Sequence, residues 1–299
     1  MAVSQKARTI AMPVAMVVGG VFNDFFDSLG WMTTYLIFLM LFVTFCRICV
    51  KDMKVTGLHW IMLAFQVLGG IGIYFLLHWI DPVIAQGLMI CIFASVAMAA
   101  VVIGGMLGAN IATIATYTLV SNFGVALAAP LFFSAIGANG GASFVSSALL
   151  ILAKVGPLLI LPFLAAWVLD KLWPRARNVI AKHGSISFWL WAVSLTIVMG
   201  RTVKFILAQP RDNFVIEIWL AAGALVVCIL QFTLGRYLGR KYGDTVAGGQ
   251  SLGQKNTVLA IWMAQTYLDP LSSVAPAAYV VWQNVVNSWQ LWRYKGERK

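Results

Sequence analysis

Long apolar stretches, separated by short polar connections, follow one another along the whole chain and limit what it can fold into. A helix needs about 20 apolar residues to cross the hydrocarbon core of a bilayer, and its backbone polar groups must be paired within that core. The chain is 61% hydrophobic and 10% charged, whereas a soluble domain carries about 25% charged residues. The sequence therefore predicts an all-α polytopic membrane protein. Its ten transmembrane helices are expected over residues 10–26, 31–50, 58–79, 82–103, 111–135, 144–169, 187–207, 214–238, 246–268 and 271–292.

The placement of the basic residues predicts how these helices are oriented. Lys and Arg concentrate in the cytoplasmic connections of membrane proteins. Ten spans with both termini in the cytoplasm put most of the 21 Lys and Arg residues on that side, and leave Arg201, Lys204 and Arg211 opposite. We expect a multi-pass protein of the bacterial inner (cell) membrane. Because the basic clusters serve orientation, the net charge of +11 does not indicate nucleic-acid binding.

An even number of spans allows two halves of five helices, residues 1–140 and 141–299. Because five is odd, the second half enters the membrane from the opposite side, as in an inverted repeat. The motif Gly105-Met-Leu-Gly108-Ala-Asn110 ends the fourth segment, and Gly249-Gln-Ser-Leu-Gly253-Gln-Lys-Asn256 opens the ninth. Glycines and amides interrupt a helix, and interrupted helices at matching places in two halves indicate a transport site.

Two helix breaks, near Asn110 and Asn256, are therefore expected to cross and form a polar pocket. On the tenth segment, Asn284 and Asn287 share a helix face and are expected to face this pocket, with Gln283 at its edge. Hydrogen bonding between helices is the alternative for Asn287, and close helix packing is the alternative for the glycines. The candidate solute-binding residues are Asn110, Thr113, Asn256, Thr257 and Asn284.

Parts of the chain resemble the bile acid:sodium symporter family. Residues 242–259, which contain the second glycine motif, and residues 276–284 are similar to the last two helices of that family. Residues 104–110 resemble the glycine-rich crossing in its fourth helix, and residues 152–162 resemble its sixth helix. The resemblance implies a panel domain and a core domain, in which two discontinuous helices cross and bind Na⁺ beside an organic anion. The ion-site residues that it implies here are Gln66, Asn110, Thr118, Gln250, Ser251, Gln254 and Lys255.

The sequence departs from this family where the sodium ions would bind. The family's sodium-coordinating glutamate becomes Ser251, or Gln250 if one residue is inserted, and its glutamine becomes Lys255 or Gln254. Two like charges about 4 Å apart repel by about 4 kcal/mol at an effective dielectric constant of 20. One hypothesis is that the ammonium of Lys255 stands in for sodium and exchanges a proton during transport. The alternative is that Lys255 snorkels to the cytoplasmic interface.

Lys154 is the second basic residue within an apolar segment. An ionisable group at membrane depth costs at least about 2.5 kcal/mol, so its position needs a reason. Snorkelling to a headgroup is favoured for Lys154, and a contact with an anionic solute is the alternative.

These patterns predict a secondary transporter of a small organic anion, a symporter that works by alternating access, rather than an enzyme. Coupling is expected to Na⁺, or to protons or to no ion if Lys255 replaces the cation; no other cofactor is expected. A membrane-embedded enzyme would need a nucleophile with a base, and the only such pair is Ser251 with Lys255, four residues apart. A non-transporting receptor or channel is the other alternative. The chain is expected to act as a monomer or a homo-oligomer.

Overall fold

Helices form throughout the chain because apolar segments can pair their backbone groups internally only in this way when no water is present. The computed structural model describes residues 14–47, 53–97, 99–136, 144–183, 185–208 and 214–296. Its helices are α1 (residues 14–21), α2 (Asn23–Ser28), α3 (Thr33–Cys46), α4 (Gly57–Leu77), α5 (Pro82–Phe93), α6 (Ala99–Met106), α7 (Ile111–Ile136), α8 (Phe144–Leu172), α9 (Pro174–Lys182), α10 (Ser185–Ala208), α11 (Phe214–Lys241), α12 (Thr245–Gly253), α13 (Thr257–Tyr267) and α14 (Val274–Gly296).

Four of these helices are long and apolar enough to cross a bilayer. They cover Gly57–Leu77, Ile111–Ile136, Ala148–Leu172 and Phe214–Lys241. Within the described residues, shorter apolar helices cover Gly30–Cys46 and Pro82–Phe93. The all-helical class is confirmed, and the length and composition of these helices indicate a membrane protein. Each of the ten apolar segments coincides with helical residues, while the ten-span inverted repeat stays a prediction.

Two predicted spans are each divided into a pair of shorter helices. The fourth segment consists of α5 and α6, which are separated by the non-helical residues 94–97, and the ninth consists of α12 and α13, which are separated by residues 254–256. In the second break Asn256 is the residue before α13, and its side-chain oxygen accepts a hydrogen bond from the Leu259 amide at 3.3 Å. An N-cap of this kind starts a new helix where the previous one has ended. The break expected near Asn256 is therefore present.

The break expected near Asn110 is not where the sequence places it. Gly108 has a positive φ of 79°, and the Ala109 amide donates to the Gly104 carbonyl at 2.9 Å, as in a glycine-terminated helix end. Asn110 then caps α7, because its side-chain oxygen accepts from the Ala112 amide at 3.0 Å. The motif Gly105–Asn110 thus forms the last residues of α6 and the turn that leads to α7. The fourth segment is interrupted earlier, at residues 94–97.

The chain divides into two compact units that are interleaved in sequence. The first contains the described residues of Met1–Val50 and Ala129–Pro210, and the second those of Lys51–Ala128 and Arg211–Lys299. The units do not follow the predicted boundary between residues 140 and 141. An inverted repeat concerns sequence and topology rather than compactness, so the two halves remain a prediction.

In the first unit α3 packs against α8 and α10, and α10 also packs against α2. The ammonium of Lys204 lies 3.0 Å from an oxygen of Asp27 and 3.2 Å from one of Asp24, while Arg201 lies 3.7 Å from Asp27. These four residues therefore form a cluster of ion pairs between α2 and α10. Lys154 belongs to α8, and its side chain lies outside the described residues.

In the second unit α11 and α12 approach each other through glycines. A Cβ atom on Gly248 would lie 2.2 Å from the Gly235 carbonyl oxygen, and one on Gly235 would lie 2.3 Å from the Gly248 carbonyl oxygen. Small residues allow such close backbone contact between helices. Close packing against α11 therefore explains why residue 248 of α12 is a glycine. This residue directly precedes the motif that begins at Gly249.

Replacing Gly248 by Ala is expected to destabilise the protein by about 1–3 kcal/mol, because its methyl group would push two backbones apart. Thermal unfolding of the purified protein in detergent, followed by circular dichroism, measures this change. Gly72→Ala is the matched control, since a Cβ at Gly72 meets no atom within 4 Å and alanine favours the helix. Equal unfolding temperatures for the two variants would contradict the close packing of α11 and α12.

Candidate functional site

The two broken helices meet at their breaks, where they form a short antiparallel contact. Val96 and Lys255 are paired as an isolated β-bridge. The Ala97 amide donates to the Gln254 carbonyl at 3.0 Å, and the Asn256 amide donates to the Ser95 carbonyl at 2.8 Å. Each break therefore satisfies backbone groups of the other, as non-helical backbone inside a membrane requires. We call residues 94–97 and 254–256 the crossing.

The carboxyl end of α5 points into the crossing, and side chains from other parts of the second unit satisfy its last carbonyls. Gln231 on α11 donates to the Cys91 carbonyl at 3.1 Å. The ammonium of Lys255 donates to the Ile92 carbonyl at 2.7 Å. The side chain of Gln66 on α4 donates to the Phe93 and Ala94 carbonyls at 2.8 and 3.1 Å. Four carbonyls that a helix leaves unpaired thus each accept a hydrogen bond from a side chain.

The amide of Gln66 has its orientation fixed by these partners. Carbonyls only accept hydrogen bonds, so the nitrogen of Gln66 must face Phe93 and Ala94. Its oxygen accepts from the hydroxyls of Tyr117 at 2.8 Å and Ser121 at 2.9 Å. Gln66 is fully buried. It therefore joins α4 and α7 to the end of α5.

Lys255 lies inside the second unit and does not reach an interface. The residue is 1% exposed, its ammonium donates to Ile92 as described above, and its backbone amide donates to the side-chain oxygen of Gln283 at 2.9 Å. Among the described residues it forms no ion pair with a carboxylate. The snorkelling alternative is therefore wrong for Lys255, and the partial negative charge of a helix carboxyl end is what its ammonium faces.

A second series of hydrogen bonds connects the carboxyl ends of α5 and α12. Besides the Cys91 carbonyl, the Gln231 side chain donates to the Tyr279 hydroxyl at 2.9 Å. The Tyr279 hydroxyl in turn donates to the Gly253 carbonyl at 2.9 Å. One glutamine on α11 thereby holds both helix ends that terminate at the crossing.

Buried amides connect α12 to α14 below the crossing. Asn287 donates to the side-chain oxygen of Gln254 and accepts from Gln250 at 3.0 Å. Gln250 also donates to Gln290 at 3.3 Å, and Gln290 accepts from the guanidinium of Arg236 at 3.2 Å. Hydrogen bonding between helices, the alternative considered for Asn287, is what the structure shows.

On α14 the residues facing the crossing are Gln283 and Asn287, which are four apart. Asn284 is half-buried and donates to the Val280 carbonyl of its own helix at 2.7 Å. The expectation that Asn284 faces the crossing with Gln283 at its edge is therefore wrong in its geometry. The positions of three amide residues in the sequence indicate which face of α14 is polar only to within one residue. The packing of α14 determines that Gln283, and not Asn284, faces the crossing.

The structure brings together some of the predicted site residues and separates others. Gln66, Gln254, Lys255 and Asn256 meet at the crossing, and Thr257 begins α13 beside them. Gln250 and Ser251 are fully buried on α12. Their roles in binding an ion or a solute remain predictions.

Three predicted residues on or near α7 form their hydrogen bonds with groups outside the crossing. Asn110 is exposed, and its backbone amide donates to the Asp244 carboxylate at 3.0 Å. The Thr113 carbonyl accepts from the ring of His59 at 3.1 Å, and the Thr118 hydroxyl donates to the Ile114 carbonyl at 2.9 Å. Asn110 falls outside the crossing because its motif forms a turn rather than a mid-helix break.

The serine–lysine pair that would support an enzyme is not formed. Spacing of four residues brings two side chains together only on one helix, but α12 ends at Gly253. Ser251 has no hydrogen-bond partner for its hydroxyl among the described residues, and Lys255 binds the Ile92 carbonyl instead. In the part of the chain that the structure describes, no three His, Cys, Asp or Glu residues are grouped to hold a metal ion.

Several residues of the site could not be found from the sequence. Tyr117, Ser121, Gln231 and Tyr279 lie in long apolar helices, and Ser95 lies in a run of small and apolar residues. The sequence marks each of them only as a polar residue within an apolar segment, and such a residue needs a hydrogen-bond partner when it is buried in a membrane. Without the crossing to define a centre, that signal did not distinguish them from other isolated polar residues.

Comparison with protein-family models and with curated proteins gives no match to this chain. The fold and site therefore define the protein by structure alone. It is an all-helical protein with helices able to cross a membrane and with two broken helices that meet in a buried polar crossing.

Replacing Gln66 by Met is expected to destabilise the protein by at least about 4 kcal/mol. The substitution keeps the volume but leaves the Phe93 and Ala94 carbonyls and two hydroxyls without their partner, and each buried unsatisfied group costs about 1–3 kcal/mol. Unfolding temperature in detergent measures the loss. Asn284→Leu is the matched control for stability, because Asn284 bonds only within its own helix. An equal effect of the two substitutions would show that Gln66 is not the cap of α5.

Proposed function

We propose that the protein is a secondary transporter of a small organic anion that works by alternating access. The observation that supports this most strongly is the antiparallel crossing of two interrupted helices, with a buried lysine at its centre. Interrupted helices that meet within a membrane, with polar residues around them, are the usual construction of a transporter site. A structural membrane protein has no need of such an arrangement, because continuous helices pair their backbone at lower cost.

The charges at the crossing favour an anionic solute. Lys255 is positively charged in this proposal, and its backbone amide donates to the side-chain oxygen of Gln283. The amino ends of α6 and α13 also begin there, and helix amino ends attract anions. A solute carrying a carboxylate or sulfonate matches these groups.

Buried oxygens near the crossing are available to a bound solute or to water. The hydroxyls of Ser95 and Ser251 and the side-chain oxygens of Gln231 and Gln250 have no hydrogen-bond partner among the described residues. All four residues are fully buried. Buried polar atoms are normally paired, so unpaired ones grouped around one feature are consistent with a site that exchanges partners during a transport cycle.

The resemblance to bile acid:sodium symporters agrees with this proposal in outline. We propose that the two compact units are the panel and core domains that the resemblance implies, with the crossing in the second unit. The proposed orientation has both termini in the cytoplasm of a bacterial cell, as the basic residues predict. We further propose the five-plus-five inverted repeat, with the α5–α6 and α12–α13 pairs in equivalent places.

Purified protein in liposomes is expected to take up an organic anion with saturable kinetics. The test compares radiolabelled taurocholate, pantoate and short-chain carboxylates, each with empty liposomes as background. Asn256→Leu removes the cap of α13 at the crossing and is expected to lower uptake at least about 10-fold, the effect of roughly 1.4 kcal/mol. Asn178→Leu, on the exposed surface of α9, is the amide control and is expected to leave uptake unchanged.

The kinetics also separate this function from its rivals. Flux that rises linearly with concentration would indicate a channel. Uptake that is equal for Asn256→Leu and the unsubstituted protein would contradict a transport site at the crossing.

A further inference from the structure

With Lys255 in place, the sodium ions that the resemblance implies do not fit at the carboxyl end of α5. A cation would need oxygen atoms directed toward it, as hard cations do. The carboxyl end of α5 instead meets donor groups, which are the ammonium of Lys255 and the side-chain nitrogens of Gln66 and Gln231. The Gln66 oxygen, which could have coordinated an ion, is directed at two hydroxyls.

The carboxyl end of α5 nevertheless has the electrostatic character of a cation site. Its last carbonyls carry about half a negative charge, which is not screened by water when the end is buried. Lys255 is nine-tenths or more buried, and its ammonium lies 2.7 Å from the Ile92 oxygen. A group that is buried with a full charge needs an opposite charge or dipole close by, and this helix end supplies it.

The backbone holds the ammonium of Lys255 in this place. Its residue is bridged to Val96, its amide is bonded to Gln283, and the next amide is bonded to the Ser95 carbonyl. The charge is therefore tethered to the crossing by the lysine side chain and cannot diffuse away as a free ion does.

We propose that Lys255 is a tethered cation that caps the carboxyl end of α5 in place of a metal ion, so that the crossing is stable without sodium. This inference deepens the proposed function, because it makes the transporter independent of a sodium gradient. It concerns the stability of the crossing and can be tested without a known solute.

The test measures the unfolding temperature of purified protein in equal concentrations of NaCl, KCl and choline chloride. For the unsubstituted protein we expect the same unfolding temperature in all three salts. Lys255→Ala removes the charge and leaves room at the Ile92 carbonyl. We expect it to lower the unfolding temperature in choline by roughly 5 °C, and we expect sodium to restore at least half of this loss.

Lys255→Met is the matched control, because it removes the charge but fills the space. We expect it to lower the unfolding temperature equally in the three salts. A sodium-dependent rise for the unsubstituted protein would overturn the proposal, and so would Lys255→Met that is as stable as the unsubstituted protein. A Lys255→Ala variant that sodium does not stabilise would also overturn it, since the place of Lys255 would then not be a cation site.

Binding of ²²Na⁺ to the unsubstituted protein gives a second measurement if the variants do not fold. We expect no saturable binding, and saturable binding would overturn the proposal. The outcome is separate from that of the transport assay. Strictly sodium-dependent uptake would support the transporter and overturn the tethered cation, whereas salt-independent stability without uptake would support the tethered cation and contradict transport.

Discussion

The need to pair the carboxyl end of α5 inside the protein governs the arrangement of the second unit. A helix that stops within a membrane leaves its last carbonyls unpaired, and no water is there to donate hydrogen bonds to them. Here Gln231, Lys255 and Gln66 donate to the carbonyls from Cys91 to Ala94. These donors come from α11, from the second break and from α4, so one helix end fixes the positions of three other elements.

The same requirement explains why the two breaks occur together. Each supplies a carbonyl and an amide to the other, through Ala97 with Gln254 and Asn256 with Ser95. A single break would leave these groups unpaired at a cost of several kcal/mol. Tyr279 extends the arrangement by bonding the carboxyl end of α12 and accepting from Gln231. The crossing is thus one connected hydrogen-bond network, and its polar groups are what a solute would meet.

The sequence allowed the helical class and the positions of the apolar segments to be predicted, because both follow from hydrophobic length alone. It also located the break at Asn256, where an amide directly precedes α13 and caps it. The break at residues 94–97 was missed because Ala94, Ser95, Val96 and Ala97 include no helix-breaking residue type. That break depends on partners far away in sequence, and Gly108 and Asn110 gave the stronger local signal because they terminate one helix and begin the next.

The candidate site was predictable only where its residues lie in a recognisable local motif. Lys255 and Gln254 were found from the motif, and Gln66 was found from the resemblance. Gln231, Tyr117 and Ser121 were not found, because their role is defined by the end of a helix that the sequence does not show. For the same reason the sequence left two explanations of Lys255 open, and the contact with Ile92 decides against snorkelling.

The position of the Lys255 ammonium is the point on which this account rests. An experimental map by electron cryo-microscopy, of the protein in lipid nanodiscs with sodium chloride present, measures it directly. The account predicts continuous side-chain density from Lys255 to the Ile92 carbonyl oxygen, at the hydrogen-bond distance of 2.7 Å. Density for Lys255 that runs toward the headgroups, with a separate ion peak beside the Ile92 oxygen, would contradict it.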